Sequence, residues 1–428
     1  MSWVYFLSIL VFAWVCRKDL KQGLALFCAL TPVYLLRLSI GGLPTTLLEI
    51  LFWVLFLFWI FSSKYSKSGC KYSKSGWRKF SFFNFFLGLF FTGSLVGVII
   101  SPDKLSALGL WRAYFLEPLV FYFILISVLK HSKDWKPVWI YLGVSLLLAH
   151  AYGLIQFVYG VMPFPWNDPL DYRVTSFFPY PNAYALWMLP LLVIYFGFWF
   201  GGYPLINYRV WDFAFKFIVI FSGVWSLVVI RSVGAGIAFF LVCLLFISRF
   251  VKKQVYQEIT IGVICFLALG SLLFLTRSPE ILKDSRDLIL LEDNSGQIRL
   301  ALWTGALRML GDFIFWGAGI GGFEFYYEQY KMARHTETLL YPHFWIFNFW
   351  LEIGFMGFVG LVGMLYCCFR DAVHRLVCGG LTKEKGVEII SLSAALAIIF
   401  IYGLVDVPYF KNDLAIIFYS ILAAARVV

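Results

Sequence analysis

Long apolar runs recur along the whole 428-residue sequence and restrict its fold more than any other feature. Runs of roughly 17–25 apolar residues are long enough to cross a bilayer as helices. The chain is 61% hydrophobic and 14% charged, whereas a soluble domain is about 45–50% apolar and about 25% charged. A transmembrane β-barrel would alternate apolar and polar residues at every second position, and this sequence does not. We therefore predict an all-α fold, a polytopic transmembrane helical bundle.

The apolar runs are separated by polar connections, most of them short. The predicted spans lie near residues 2–16, 23–40, 45–61, 80–100, 112–129, 137–159, 182–200, 213–230, 233–249, 258–275, 344–369, 387–405 and 409–426. The first run is short for a bilayer crossing, so we predict 12–13 spans. We expect no cleaved signal peptide, because residues 2–16 lack a basic leading region and a small-residue cleavage site.

Basic residues are distributed unevenly between alternate connections. Most of them fall in every second connection, as in residues 64–79 and 130–136, whereas the intervening short connections hold few. Cytoplasmic loops of membrane proteins carry the excess of Lys and Arg. We therefore predict that the rich connections and the C-terminus face the cytoplasm. The net charge of +11 then reflects membrane orientation, and we expect no nucleic-acid partner.

One connection on the predicted outer side, residues 276–343, is much longer than the others. Connections of this length in a compact fold are usually functional. Leu300, Trp303, Leu307 and Leu310 recur at intervals of 3, 4 and 3 residues, which predicts a helix with one apolar face. We expect this helix to lie on the membrane surface or to cap a cavity.

Five ionisable residues fall in the predicted outer connections or at their edges: Arg173, Arg231, Arg299, His343 and Asp406. Guanidinium groups bind phosphate oxygens through paired hydrogen bonds. Histidine titrates near neutrality and can accept a proton from a hydroxyl. Together they favour a lipid-linked sugar pyrophosphate that reacts with an acceptor hydroxyl. The simpler alternatives are that each arginine anchors a helix at the interface and that the histidine only packs.

The sequence contexts of these residues carry a family resemblance from Arg173 to the C-terminus. The five segments are RVTSFFPYPNAYA from 173, RSVGAGIAFF from 231, RLALWTGALRMLGDFIFWGAGIGGFEFYYEQY from 299, HFWIFNFWLEIGFMG from 343 and GLVDVPYFKND from 403. They resemble, in order, the motifs of the O-antigen ligase and O-antigen polymerase family of bacterial membrane glycosyltransferases. Two positions depart from the family pattern: Phe344 follows His343 where Asn is common, and Arg231 precedes Ser232.

The resemblance implies an organisation and a reaction. Residues 1–165 would be N-terminal transmembrane helices, and residues 166–428 would be the catalytic region, including the outer connection. The enzyme would be a metal-independent inverting glycosyltransferase in the cytoplasmic (inner) membrane, acting at its outer face. Its donor would be a glycan on undecaprenyl pyrophosphate, and its acceptor a hydroxyl on a glycan, lipid or protein. Ligase and polymerase remain alternatives, as does a transporter or flippase of anionic lipid-linked glycans.

We assign expected roles on this basis. Arg173, Arg231 and Arg299 would bind the pyrophosphate, and His343 would be the general base, with His335 as the alternative. We expect no cofactor and no metal, because the outer connections contain no Asp-x-Asp motif and the eight cysteines lack zinc-ligand spacing. Three further residues are expected to support the site: Glu352, Asn348 and Asp406.

Glu352 and His343 are nine residues apart, about 180° around a helix, so we do not expect Glu352 to orient His343. Asn348 and Glu352 are four apart and share one helix face. Glu352 would instead pair with another helix, for example one that carries an arginine, or be a protonated carboxyl.

Overall fold

The structure is a computed structural model that describes residues 2–40, 43–62, 81–160, 173–250, 294–332 and 339–428. Its α-helices are α1 (Ser2–Lys18), α2 (Leu20–Ala29), α3 (Leu47–Phe61), α4 (Phe82–Ile100), α5 (Lys104–Val128), α6 (Ser132–Tyr159), α7 (Pro181–Gly201), α8 (Arg209–Ile230), α9 (Val233–Phe250), α10 (Asn294–Asp312), α11 (Gly322–Tyr330), α12 (Trp345–Cys378), α13 (Lys383–Tyr402) and α14 (Asn412–Val427). A short hairpin, β1 (Arg37–Ile40) and β2 (Leu43–Thr46), pairs Arg37 with Thr46 in antiparallel register. The predicted all-α class is confirmed.

Within the described residues, seven helices are long and apolar enough to cross a membrane: α4, α5, α6, α7, α8, α12 and α13. Other predicted spans correspond to shorter helices such as α2, α3 and α9, and the predicted span 258–275 lies outside the described residues. Large apolar side chains such as Trp14, Leu148 and Phe221 are exposed on the bundle surface. Such a surface suits lipid and would drive aggregation in water.

The bundle is built around α7, which is the most buried of the seven helices. Glycines let neighbouring helices approach closely. A side chain at Gly201 would meet Val387 of α13, and one at Gly93 of α4 would meet the backbone of Gly357 of α12. Small residues at helix interfaces are the usual means of close packing in membranes, where lipid removes the hydrophobic driving force between helices.

The predicted span 23–40 is wrong in its second half. Helix α2 ends at Ala29, and the chain continues as a 3-10 turn (Thr31–Leu35) and then β1. Pro32 lies at the start of the 3-10 turn, where it lacks the N–H that would continue the helix. Arg37 consequently lies outside the helices, at one end of the bundle.

The helix predicted in the long connection is confirmed as α10, but its predicted apolar face is only partly correct. Leu310 is buried, whereas Leu300 and Leu307 are exposed; the buried face is completed by Leu302, Ala306 and Met309. These residues pack against Tyr327 of α11 and Leu351 of α12. Gly305 lets α10 approach α11 closely, since a Cβ there would lie 2.5 Å from the ring of Tyr327.

Helix α12 is interrupted at Gly354, which has a left-handed backbone (φ 70°). The segment 315–321 fills the interruption. The N–H of Ala318 donates to the carbonyl of Leu351 (2.6 Å), and the N–H of Phe355 donates to the carbonyl of Phe315 (3.0 Å). The glycines of GAGIGG permit this contact, since a Cβ at Gly317 would lie 2.5 Å from the Leu351 carbonyl oxygen.

Candidate functional site

A cavity of about 570 Å³ opens at one end of the bundle. Four segments that are far apart in sequence meet around it. Three of them, which contain Arg173, His343 and Asp406, were predicted to face outside, whereas the fourth begins inside the predicted span 23–40. Its lining residues are Tyr34, Leu35, Arg37, Thr46, Tyr114, Arg173, Pro179, Tyr180, Pro181, Asn182, Leu339, Leu340, Tyr341, His343, Asp406, Val407, Phe410, Lys411 and Asn412. The cavity therefore brings together three of the predicted site residues: Arg173, His343 and Asp406.

The imidazole of His343 and the carboxylate of Asp406 form the central contact. Nδ1 of His343 lies 3.2 Å from Oδ1 of Asp406. The same oxygen accepts the backbone N–H of Val407 at 2.8 Å. A carboxylate on Nδ1 fixes the tautomer in which Nδ1 carries the proton, so that Nε2 of a neutral imidazole is left as the acceptor.

Asp406 is buried, with 3% of its surface exposed. Burial alone raises the pKa of its carboxyl, but the hydrogen bond and charge of His343 and the backbone N–H of Val407 outweigh burial, with Lys411 adding to them. The pKa of Asp406 is therefore lowered from 3.8. Asp406 is thus held as a carboxylate beside the histidine.

The backbone of His343 is strained. Its φ is 49°, one of three positive values among the described non-glycine residues, together with Ser176 and Arg231. A left-handed backbone costs a non-glycine residue on the order of 1 kcal/mol, and such residues concentrate at functional sites. A hydrogen bond just after His343 fixes this backbone conformation: the N–H of Trp345 donates to the carbonyl of Gly403 (2.9 Å). Gly403 is close in sequence to Asp406.

Three basic side chains line the cavity: Arg37, Arg173 and Lys411. The Lys411 ammonium donates to the hydroxyl of Tyr180 and lies 4.1 Å from the centre of its ring. Burial lowers the pKa of Lys411, and the carboxylates of Asp413 and Asp406 offset part of that effect. Asp406 is the carboxylate among the described lining residues, and Asp413 lies close enough to act on Lys411, so the basic groups outnumber the acidic ones and the cavity favours an anion.

Arg37 and Lys411 were not predicted as site residues. Arg37 falls inside the predicted span 23–40, and Pro32 was the signal in the sequence that the helix ends before it. Lys411 lies within the quoted segment GLVDVPYFKND, where its position five residues after Asp406 was the available signal.

Among the described residues, Arg231 and Arg299 do not line the cavity. Arg231 follows the last residue of α8 and is exposed. Its neighbour Ser232 lies 3.0 Å from the hydroxyl of Tyr402, and Arg299 of α10 acts electrostatically on the same hydroxyl. The predicted set of three arginines is therefore divided between the cavity wall and a region near Tyr402.

Glu352 and Asn348 are both buried, as their shared helix face predicts. A carboxyl oxygen of Glu352 accepts the N–H of Gly321 at 2.7 Å, and Gly321 immediately precedes α11. Within the described residues, Glu352 therefore bonds to the backbone at the start of another helix, as the pairing with a second helix predicted, and the partner is not an arginine. Glu352 holds α11 against α12 and does not contact His343. The alternative base His335 lies outside the described residues.

Residues 217–362 match the family model described as O-Antigen ligase. No curated protein matches the chain. The matched segment contains Arg231, Arg299 and His343, whereas Arg173 and Asp406 lie on either side of it. The match supports the predicted resemblance to this family over residues 217–362.

Proposed function

We propose that this chain, as an O-antigen ligase-type membrane protein, transfers a glycan from undecaprenyl pyrophosphate to an acceptor hydroxyl. Transfer would take place in the cavity, at the outer face of the cytoplasmic membrane. The observation that carries the proposal is the pairing of His343 with Asp406 beside three cations in one cavity. A base next to an anion site is what a hydroxyl acceptor and a diphosphate leaving group require.

The cations would bind the donor. The guanidinium groups of Arg173 and Arg37 can each donate paired hydrogen bonds to two phosphate oxygens, and Lys411 adds a compact positive charge. Negative charge grows on the pyrophosphate as the glycosidic bond breaks, and fixed cations stabilise it without reorganising. Arg231 and Arg299 would bind the glycan side of the donor or join the pyrophosphate as the donor enters.

His343 would act as the general base. Asp406 holds the Nδ1–H, and Nε2 takes the proton from the acceptor hydroxyl as its oxygen attacks the anomeric carbon. A new C–O bond forms, the bond to the pyrophosphate oxygen breaks, and its electron pair leaves with the pyrophosphate. Attack from the opposite face inverts the anomeric carbon. We propose that the cations supply the charge stabilisation that a metal supplies elsewhere, so transfer should persist in a chelator.

The test uses purified protein, a defined lipid-linked oligosaccharide and candidate acceptors. His343→Ala should abolish transfer, and His335→Ala, at matched expression, should retain it. Full activity of the His343 variant would overturn the proposed base. Products would separate a ligase from a polymerase, because only a polymerase joins one lipid-linked unit to another. Movement of the donor across the bilayer without covalent transfer would favour a flippase.

A further inference from the structure

A second cavity, of about 470 Å³, lies at the opposite end of the bundle. Helix α13 runs from one cavity to the other: it begins beside Thr382 and Glu384, which line the second cavity, and its end leads to Asp406 in the first. Helix α14 runs the other way, from Asn412 to Val427. The two cavities therefore open towards opposite membrane faces.

The second cavity is strongly basic. Lys130, Lys133, Lys136 and Lys385 line it, with His131, and Glu384 is the carboxylate among the described lining side chains. Glu388 lies behind the lining residue Ser132, whose hydroxyl donates to it at 2.5 Å.

Three of these lysines face the cavity without a described ion-pair partner. Among the described residues, no carboxylate lies within 4.0 Å of the ammonium of Lys133, Lys136 or Lys385. Lys136 instead lies over the ring of Tyr203, 5.7 Å from its centre. Like charges gathered around one cavity repel one another, and an anion would relieve that repulsion.

Two helices begin at this cavity, α6 at Ser132 and α13 at Lys383. Asp134 already accepts the N–H groups of Lys130 and His131 at the start of α6, so the lysine side chains supply the positive charge that an anion would meet. Phosphate oxygens bind readily to lysine ammonium groups in proteins.

The surroundings favour a lipid as the source of that phosphate. Ser132 also contacts the hydroxyl of Tyr203 (3.3 Å), and Tyr203 lies shortly before the start of α8 at Arg209. There Tyr208 and Trp211 are 74% and 68% exposed. Exposed Tyr and Trp at a helix end are typical of the headgroup level of a membrane. The cavity therefore lies beside the headgroups, within reach of an anionic lipid.

We propose that this cavity binds the phosphate of an anionic phospholipid headgroup, in the leaflet opposite the glycan-transfer site. Basic pockets between transmembrane helices on the cytoplasmic side hold such headgroups in other membrane proteins. The site is independent of the proposed reaction and persists if that proposal is wrong.

The experiment measures binding of fluorescent phosphatidylglycerol to the purified full chain in detergent micelles. Lys133→Ala/Lys385→Ala should weaken binding by roughly tenfold to thirtyfold, and Lys133→Arg/Lys385→Arg should restore it. The matched control is Arg17→Ala/Lys18→Ala, which removes two exposed charges at the same predicted face but outside the cavity. It should bind as tightly as the unmodified chain.

Equal loss in both alanine variants, with unchanged melting temperatures, would show general surface attraction and overturn the site. Phosphatidylcholine that binds as tightly as phosphatidylglycerol would overturn it as well. Inorganic phosphate serves as the second probe. If it displaces the lipid at comparable concentration, the phosphate site stands and the assignment to a lipid is overturned.

Discussion

The Nδ1 atom of His343 lies 3.2 Å from a carboxylate oxygen of Asp406, across 63 residues of sequence. One residue precedes α12 and the other follows α13, so the contact joins the ends of two helices at the mouth of the first cavity. A histidine held in this way has one nitrogen fixed and one available, which is the arrangement that a general base requires.

Asp406→Asn should reduce glycan transfer by about 10²-fold or more, because an amide can no longer hold the imidazole in the active tautomer as a carboxylate does. The rate with saturating donor measures this loss. Asp312→Asn, at an exposed carboxylate on α10 that bonds Tyr330, is the control and should keep full activity. A transfer rate of Asp406→Asn equal to the unmodified chain would remove Asp406 from the mechanism.

The same pair should make stability depend on pH in the acid range. The folded pKa of Asp406 lies below its ordinary value of 3.8, so its carboxylate stabilises the fold above that pH. The contribution falls as the pH drops from 3.8 through the folded pKa. The difference in melting temperature between the unmodified chain and Asp406→Asn should therefore shrink below about pH 4. A difference that stays constant or grows on acidification contradicts the assignment.

Lys411→Met should weaken donor use while leaving the base in place. Loss of one charge-assisted hydrogen bond costs about 1.5–3 kcal/mol, which corresponds to a rise of roughly tenfold to a hundredfold in the donor KM. Lys104→Met, at an exposed lysine at the start of α5, removes the same charge at the same predicted face. If both variants raise the KM equally, the effect of Lys411 is only long-range attraction.

Gly354→Ala should destabilise the protein by about 2 kcal/mol or more. The backbone there is left-handed, and a Cβ would lie 2.5 Å from the carbonyl oxygen of Trp316. Gly88→Ala in α4 is the matched control, since a Cβ there meets nothing within 4 Å. Thermal unfolding in detergent measures both, and equal melting temperatures would show that the interruption in α12 tolerates a side chain.

The orientation of the two cavities can be tested by labelling. Leu340 lines the first cavity and is 57% exposed, whereas Lys133 lines the second. In a background with the eight native cysteines replaced by alanine, Leu340→Cys should react with a membrane-impermeant maleimide in intact cells or spheroplasts. Lys133→Cys should react only after permeabilisation. The reverse pattern would invert the proposed topology.

Much of the fold could be predicted because lipid imposes simple requirements on sequence. The apolar runs predicted the positions of α4, α7 and α8. The uneven distribution of Lys and Arg predicted that Arg173, His343 and Asp406 lie at the same face of the membrane. In the structure these three residues line one cavity.

What could not be predicted depends on contacts between distant segments. The pairing of His343 with Asp406 and the left-handed backbone of His343 arise only when α12 and α13 pack together. Arg37 was misplaced because apolar composition continues past the point where Pro32 ends helical structure. The buried face of α10 was misjudged because a small residue, Ala306, marks it and the large Leu307 does not.

The interruption at Gly354 also has a consequence for how the chain is made. Its backbone groups find partners in residues 315–321, which leave the ribosome before α12 does. A bilayer cannot supply hydrogen bonds to a broken helix, so we expect α12 to reach its final packing only with that earlier segment beside it. A chain that lacks residues 315–321 would leave the Leu351 carbonyl and the Phe355 N–H without these partners, and we expect it to accumulate poorly in the membrane.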